Sequence, residues 1–218
     1  MTKKILALVS AFLILGLANS AMALEVKVDL SCQDGATKAG GDWSDFEVGG
    51  GCDGDRHDPR AWTDPLTNIN FYTGQPGGHG NVIARGGDPI CNTAYQHWTG
   101  EDALMMLQIG GAGHTAGNYT IEVLHAWNGG GISGLTVSGA DSYNILQMGS
   151  VVNTGSDADL LAATGSHTLV DYTIASDAQS VRLDWSGTPK INAWILTPEP
   201  TTIALLGLGG LALLRRKH

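Results

Sequence analysis

Alternation of apolar and polar residues with a period of two, interrupted every few residues by glycine-rich turns, is what most limits the fold of this chain. From Leu24 to Leu30, Val26, Val28 and Leu30 fall on one face and Lys27 and Asp29 on the other; Val181 to Trp185 repeats the scheme with Arg182 and Asp184 outward. Asn118 to Trp127, Gly134 to Ser138, Tyr143 to Val152, His167 to Ala175 and Ile191 to Leu196 read the same way, separated by Gly, Asn, Ser and Asp clusters that supply turns. Only Gly100 to Leu107 and Asp157 to Ala163 suggest short helices. Half-buried strands at this spacing, in a chain with 31 glycines, predict an all-β protein built as an antiparallel β-sandwich.

Both ends of the chain differ from this middle. Lys3 and Lys4 precede an apolar run, and Ala21-Met22-Ala23 forms a small-x-small site, so residues 1–23 read as a signal peptide cut between Ala23 and Leu24. At the other end, residues 198–218 consist of Pro198-Glu199-Pro200, an uncharged run from Thr201 to Leu214, and the cluster Arg215-Arg216-Lys217. As a helix those 14 residues rise about 21 Å, short of the roughly 30 Å of a hydrocarbon core. They predict a short transmembrane helix whose basic end stays cytoplasmic, with the domain at residues 24–197 exported.

The terminal run PEPTTIALLGLGGLALLRRK closely resembles the PEP-CTERM sorting domain, also known as the ice-binding protein C-terminal domain. That resemblance implies recognition by exosortase, a membrane cysteine protease, and cutting near Pro198-Glu199-Pro200 after a transient stay in the inner membrane. It further implies delivery to the cell surface or extracellular matrix of a Gram-negative-type bacterium that makes exopolysaccharide. Two strands within the exported part, Gly117-Asn118-Tyr119-Thr120-Ile121-Glu122-Val123 and Lys190-Ile191-Asn192-Ala193-Trp194-Ile195, resemble strands of galactose-binding-like and malectin-like modules. This second resemblance implies a jelly roll.

Charge excludes one class of partner. Residues 24–197 carry seven Lys and Arg against 20 Asp and Glu, a net charge of −13, which repels phosphate backbones while leaving neutral sugars and cations acceptable. All three cysteines, Cys32, Cys52 and Cys91, lie in the exported part, where a pair would oxidise. Cys32 with Cys52 is the favoured bridge because its loop is short, and Cys52 with Cys91 is the alternative.

The densest polar cluster runs from Gly49 to Arg60, with Asp53, Asp55 and Asp58 on a glycine-rich loop. Hard oxygen ligands at that spacing suit a structural Ca²⁺, although the EF-hand glycine and glutamate are missing, and a solvated acidic turn beside Arg56 and Arg60 is the plainer alternative. The six exported histidines show neither H-x-x-x-H nor H-E-x-x-H spacing, and no G-x-S-x-G elbow accompanies them, so they read as scattered loop and surface residues. Glu122, between Ile121 and Val123, reads as a lone carboxylate on a polar face, whereas glycoside hydrolysis needs two.

Tryptophan gives the strongest hint of binding. Trp185 shares a face with Val181 and Leu183 and belongs in the core, while Trp194 is out of phase with Ile191, Ala193 and Ile195 unless both faces of its strand are covered. Trp43, Trp62 and Trp98 fall in Gly/Asp/Thr-rich segments read as loops, where an indole can stack on the apolar face of a sugar. The expectation is a non-catalytic surface or matrix protein associated with exopolysaccharide. The competing classes are a secreted glycan-active hydrolase and an ice-binding or purely structural matrix protein; a flat ice-binding face would call for Thr-x-Thr repeats, which are lacking.

Overall fold

A computed structural model describes residues 24–31, 39–47, 53–57, 60–74, 80–84, 88–97, 105–127 and 129–199. The leader and most of the tail lie outside these residues. Among the described residues no helix is long and apolar enough to cross a membrane.

Two sheets face each other. The first has six strands in the order β11 (Ser142–Gln147), β12 (His167–Ile174), β9 (Gly117–Leu124), β15 (Ala193–Pro198), β1 (Val26–Ser31), β2 (Trp43–Glu47). The second has five, in the order β10 (Gly131–Ser138), β13 (Ala178–Thr188), β8 (Met105–Gly111), β5 (Asn70–Gly74), β4 (Arg60–Thr63). Pairing is antiparallel except between β1 and β2. From β8 onward the chain crosses repeatedly from sheet to sheet, at β9, β10, β11, β13 and β15. A smaller sheet takes the order β14 (Lys190–Ile191), β7 (Thr93–His97), β6 (Gly80–Ala84), β3 (Asp53–His57).

The predicted alternation builds the interior. Val26, Val28 and Leu30, Tyr119, Ile121 and Val123, Val170, Tyr172 and Ile174 all point inward from the first sheet. They meet Phe71, Leu107, Ile109, Val181, Leu183 and Trp185 from the second. Trp194 is fully buried there, packed edge-on to Phe46 at 5.9 Å. Its phase is explained by a second core on the opposite face of the same sheet, where Ala193 and Leu124 pack with Ile90, Cys91, Ala126 and Leu160, and Trp43 and Ile195 border them. Strand β15 is covered on both faces, so its run of apolar residues needs no alternation.

Of the two expected helices one forms. Helix α2 (Asp157–Ala162), which follows α1 (Pro89–Asn92), starts at Ser156, whose side chain accepts from the Asp159 N–H, and carries Asp157 and Asp159 in its first turn. The Asp157 carboxylate also accepts from the Ile90 and Cys91 N–H groups, tying α1 to α2 beneath the second core. The other expectation fails over Met105 to Leu107, which begin β8. That strand lies between β13 and β5 with Met105, Met106 and Leu107 all buried, so the sequence shows a continuous apolar run instead of a period of two.

Candidate functional site

The outer face of the five-stranded sheet carries an open trough of about 360 Å³. Strand register sets its rows. Arg182, Gln108, Tyr72 and Ala61 are successive partners across β13, β8, β5 and β4, and Gly110, Asn70 and Thr63 form the adjacent row with Ser180 beside Gly110. Thr63 Oγ1 donates to Asn70 Oδ1 at 2.8 Å. Tyr72 and Gln108 are half-buried, while Thr63, Asn70 and Ser180 are exposed.

Two glycines keep the trough open. A Cβ on Gly110 would stand 2.7 Å from Ser180 Oγ, and one on Gly111 would stand 2.6 Å from Asn70 Cγ; Gly111 also has φ +86, a left-handed conformation that disfavours other residues. Beside the trough, Arg182 Nε and Nη2 donate to both oxygens of Asp184 at 2.7 to 2.9 Å, so the largest charges nearby neutralise each other. What remains is a phenol, two side-chain amides and two hydroxyls around a shallow apolar floor, a set able to hydrogen-bond neutral hydroxylated ligands.

Trp62 is not a loop residue, and its indole lies on the core side of the sheet, opposite the trough. It sits in the edge strand β4, half-buried, its indole stacked on Phe46 and Phe71 with ring centroids 6.0 Å away in each case. Trp43 is likewise in a strand, β2, against the second core on the other sheet, so the structure does not bring the two together. Trp98 lies outside the described residues.

The Asp53–Asp55 segment is a strand instead of the expected loop: β3 pairs with β6, with a register shift between Asp53 and Arg56. Asp58, Cys32 and Cys52 lie outside the described residues. Cys91 is buried in the second core. Ala21 and Ala23 are outside the described residues, and Leu24 is exposed two residues before β1. Pro198 ends β15, and the Glu199 N–H donates to the Asn118 carbonyl at 2.8 Å; Pro200, Arg215, Arg216 and Lys217 lie outside.

Three histidines expected on loops or surfaces are buried with specific partners. His114 donates from Nδ1 to the Gln179 carbonyl and accepts at Nε2 from the Tyr172 hydroxyl, and burial lowers its pKa. His125 bonds the Lys190 carbonyl and Thr168 Oγ1, and complete burial lowers its pKa to about 4, so it is neutral. His167 faces two acceptors, Glu122 Oε1 at 2.5 Å and the Leu160 carbonyl at 2.8 Å, which requires a proton on each ring nitrogen. Glu122 raises the His167 pKa against the opposing effect of burial. Glu122 is therefore half of an ion pair and not a lone solvated carboxylate. No group of three or more His, Cys, Asp or Glu among the described residues is arranged to hold a metal ion.

Residues 196–217 match the PEP-CTERM protein-sorting motif. The chain therefore carries an exosortase-type sorting signal, which implies processing by exosortase and export through the membrane to the cell surface. No curated protein matches the chain.

Proposed function

We propose that this sorted surface protein is a non-catalytic component of the extracellular matrix of a Gram-negative-type bacterium, and that its sandwich binds neutral exopolysaccharide on the outer face of the five-stranded sheet. The observation that carries this reading is the trough itself, where the Tyr72 ring and the polar groups of Asn70, Gln108, Thr63 and Ser180 converge. An aromatic ring offers the apolar face of a pyranose a flat partner, and amides and hydroxyls satisfy its rim. The acid-rich exported part, at −13, favours an uncharged ligand over an anionic one. Pairing of Arg182 with Asp184 leaves the trough without net charge, which suits the same ligand.

A glycan array probed with residues 24–199 tests this. Binding to neutral oligosaccharides is expected, weakened at least tenfold by Tyr72→Ala or Gln108→Ala with the melting temperature held within a few degrees. Absence of glycan binding by the wild type would leave a purely structural matrix role.

A further inference from the structure

The sorting motif and the folded domain overlap. The motif begins at Leu196, yet Leu196, Thr197 and Pro198 belong to β15 and pair in register with Ile121, Thr120 and Tyr119 of β9. Leu196 is fully buried and is also the partner of Val26 in β1. Pro198 has no N–H to offer, and the ladder is closed one residue later by the Glu199 N–H on the Asn118 carbonyl. Thr197 Oγ1 reaches Glu25 Oε1 at 3.4 Å, so both neighbouring strands hold this end.

A protease that takes its substrate as an extended strand needs the backbone groups of that strand for itself. Here residues 196–198 are held in register with β9 and the Glu199 N–H is bonded to the Asn118 carbonyl. Glu199 is exposed and borders a shallow depression of about 290 Å³ with Asn118, Ser142, Tyr143, Asn144 and Thr173, so the chain becomes accessible at this point.

We infer that the folded sandwich sets the processing boundary: the sorting machinery cuts beyond Glu199 without opening the sheet, and residues 196–199 stay with the mature domain as the end of β15. This rests on the reading that the motif is processed. In the cut one peptide bond breaks, its acyl carbon passing to water and its amide nitrogen leaving, protonated, with the tail. Recognition and retention thereby divide within one motif, since its first four residues serve the fold and those that follow serve the machinery.

Intact-mass analysis and C-terminal peptide mapping of the surface protein, from cells producing the full chain, provide the test. The mature chain should end at Glu199 or later; an end at Pro198 or earlier overturns the inference. A mass that includes His218 overturns the processing reading as well, and is distinguishable by that mass. A Thr120→Cys/Thr197→Cys pair, on registered partners, adds a second arm. Oxidised, it locks β15 to β9, and the processed fraction should equal that of the reduced form within twofold. Loss of processing in the oxidised form alone would show that the strand must open.

Discussion

Replacing Asp29 by Asn should flatten the dependence of stability on pH. Asp29 is in the middle of β1, fully buried, with Oδ2 accepting from the Ala39 N–H at 3.0 Å and Oδ1 without a hydrogen-bond partner among the described residues. Burial raises its pKa from 3.8 to about 8, with Asp45 and Asp157 adding repulsion. A carboxyl whose folded value lies above its unfolded value binds its proton more tightly in the folded state. Its contribution is therefore complete below about pH 4 and falls by about 1.4 kcal/mol per pH unit until about pH 8. By pH 7 the loss is about 4 kcal/mol, a large part of the 5 to 15 kcal/mol that holds an ordinary domain folded. Asparagine keeps an acceptor for Ala39 and has no proton to lose. Urea denaturation of residues 24–199 at pH 5, 6, 7 and 8, followed by the fluorescence of the buried Trp185 and Trp194, measures both slopes. Asp29→Asn should gain on the wild type by more than 1 kcal/mol per pH unit across this range. Parallel slopes would refute a protonated Asp29.

Other perturbations follow from the same geometry. His167 has a raised folded pKa, so its contribution is present below about pH 6.5 and lost as pH rises through the folded value; His167→Gln should remove that loss in a melting series from pH 5.5 to 8.5. Trp185→Ala, in the sealed core, should cost about 3 to 5 kcal/mol. Trp62→Ala should cost about 2 kcal/mol in the same denaturation assay, because its half-buried indole packs on Phe46 and Phe71. Calcium ligation by Asp53, Asp55 and Asp58 predicts that EDTA lowers the melting temperature and added Ca²⁺ restores it, since a ligand in hundredfold excess over its Kd stabilises by about 2.7 kcal/mol. An unmoved melting curve would leave an acidic segment without an ion.

Where apolar and polar residues alternate along a strand, the fold was legible: Val181, Leu183 and Trp185 against Arg182 and Asp184 read directly as β13, although Asp184 proves buried beneath its ion pair with Arg182. It was illegible where that contrast disappears. Met105 to Leu107 are buried together in a central strand and imitate a helix, and Phe71 and Tyr72 are both aromatic although one points inward and the other lines the trough. Trp62 is the only large apolar residue of a four-residue strand, too short a segment to show any period. The trough was hidden for a different reason. Tyr72, Gln108 and Arg182 come from three strands far apart in sequence and meet only through register. The ion pair of Glu122 with His167 spans 45 positions and leaves no local spacing. The sorting signal, by contrast, is contiguous and recognised as a linear segment, so it could be read in full.

The central claim is tested most directly by calorimetric titration of residues 24–199 with the exopolysaccharide of the producing cell, wild type beside Tyr72→Ala. The trough predicts saturable binding by the wild type, a Kd at least tenfold weaker in the variant, and unfolding curves that superimpose. Equal binding by the two proteins would place any glycan site elsewhere on the sandwich. No heat of binding from the folded wild type would contradict the account.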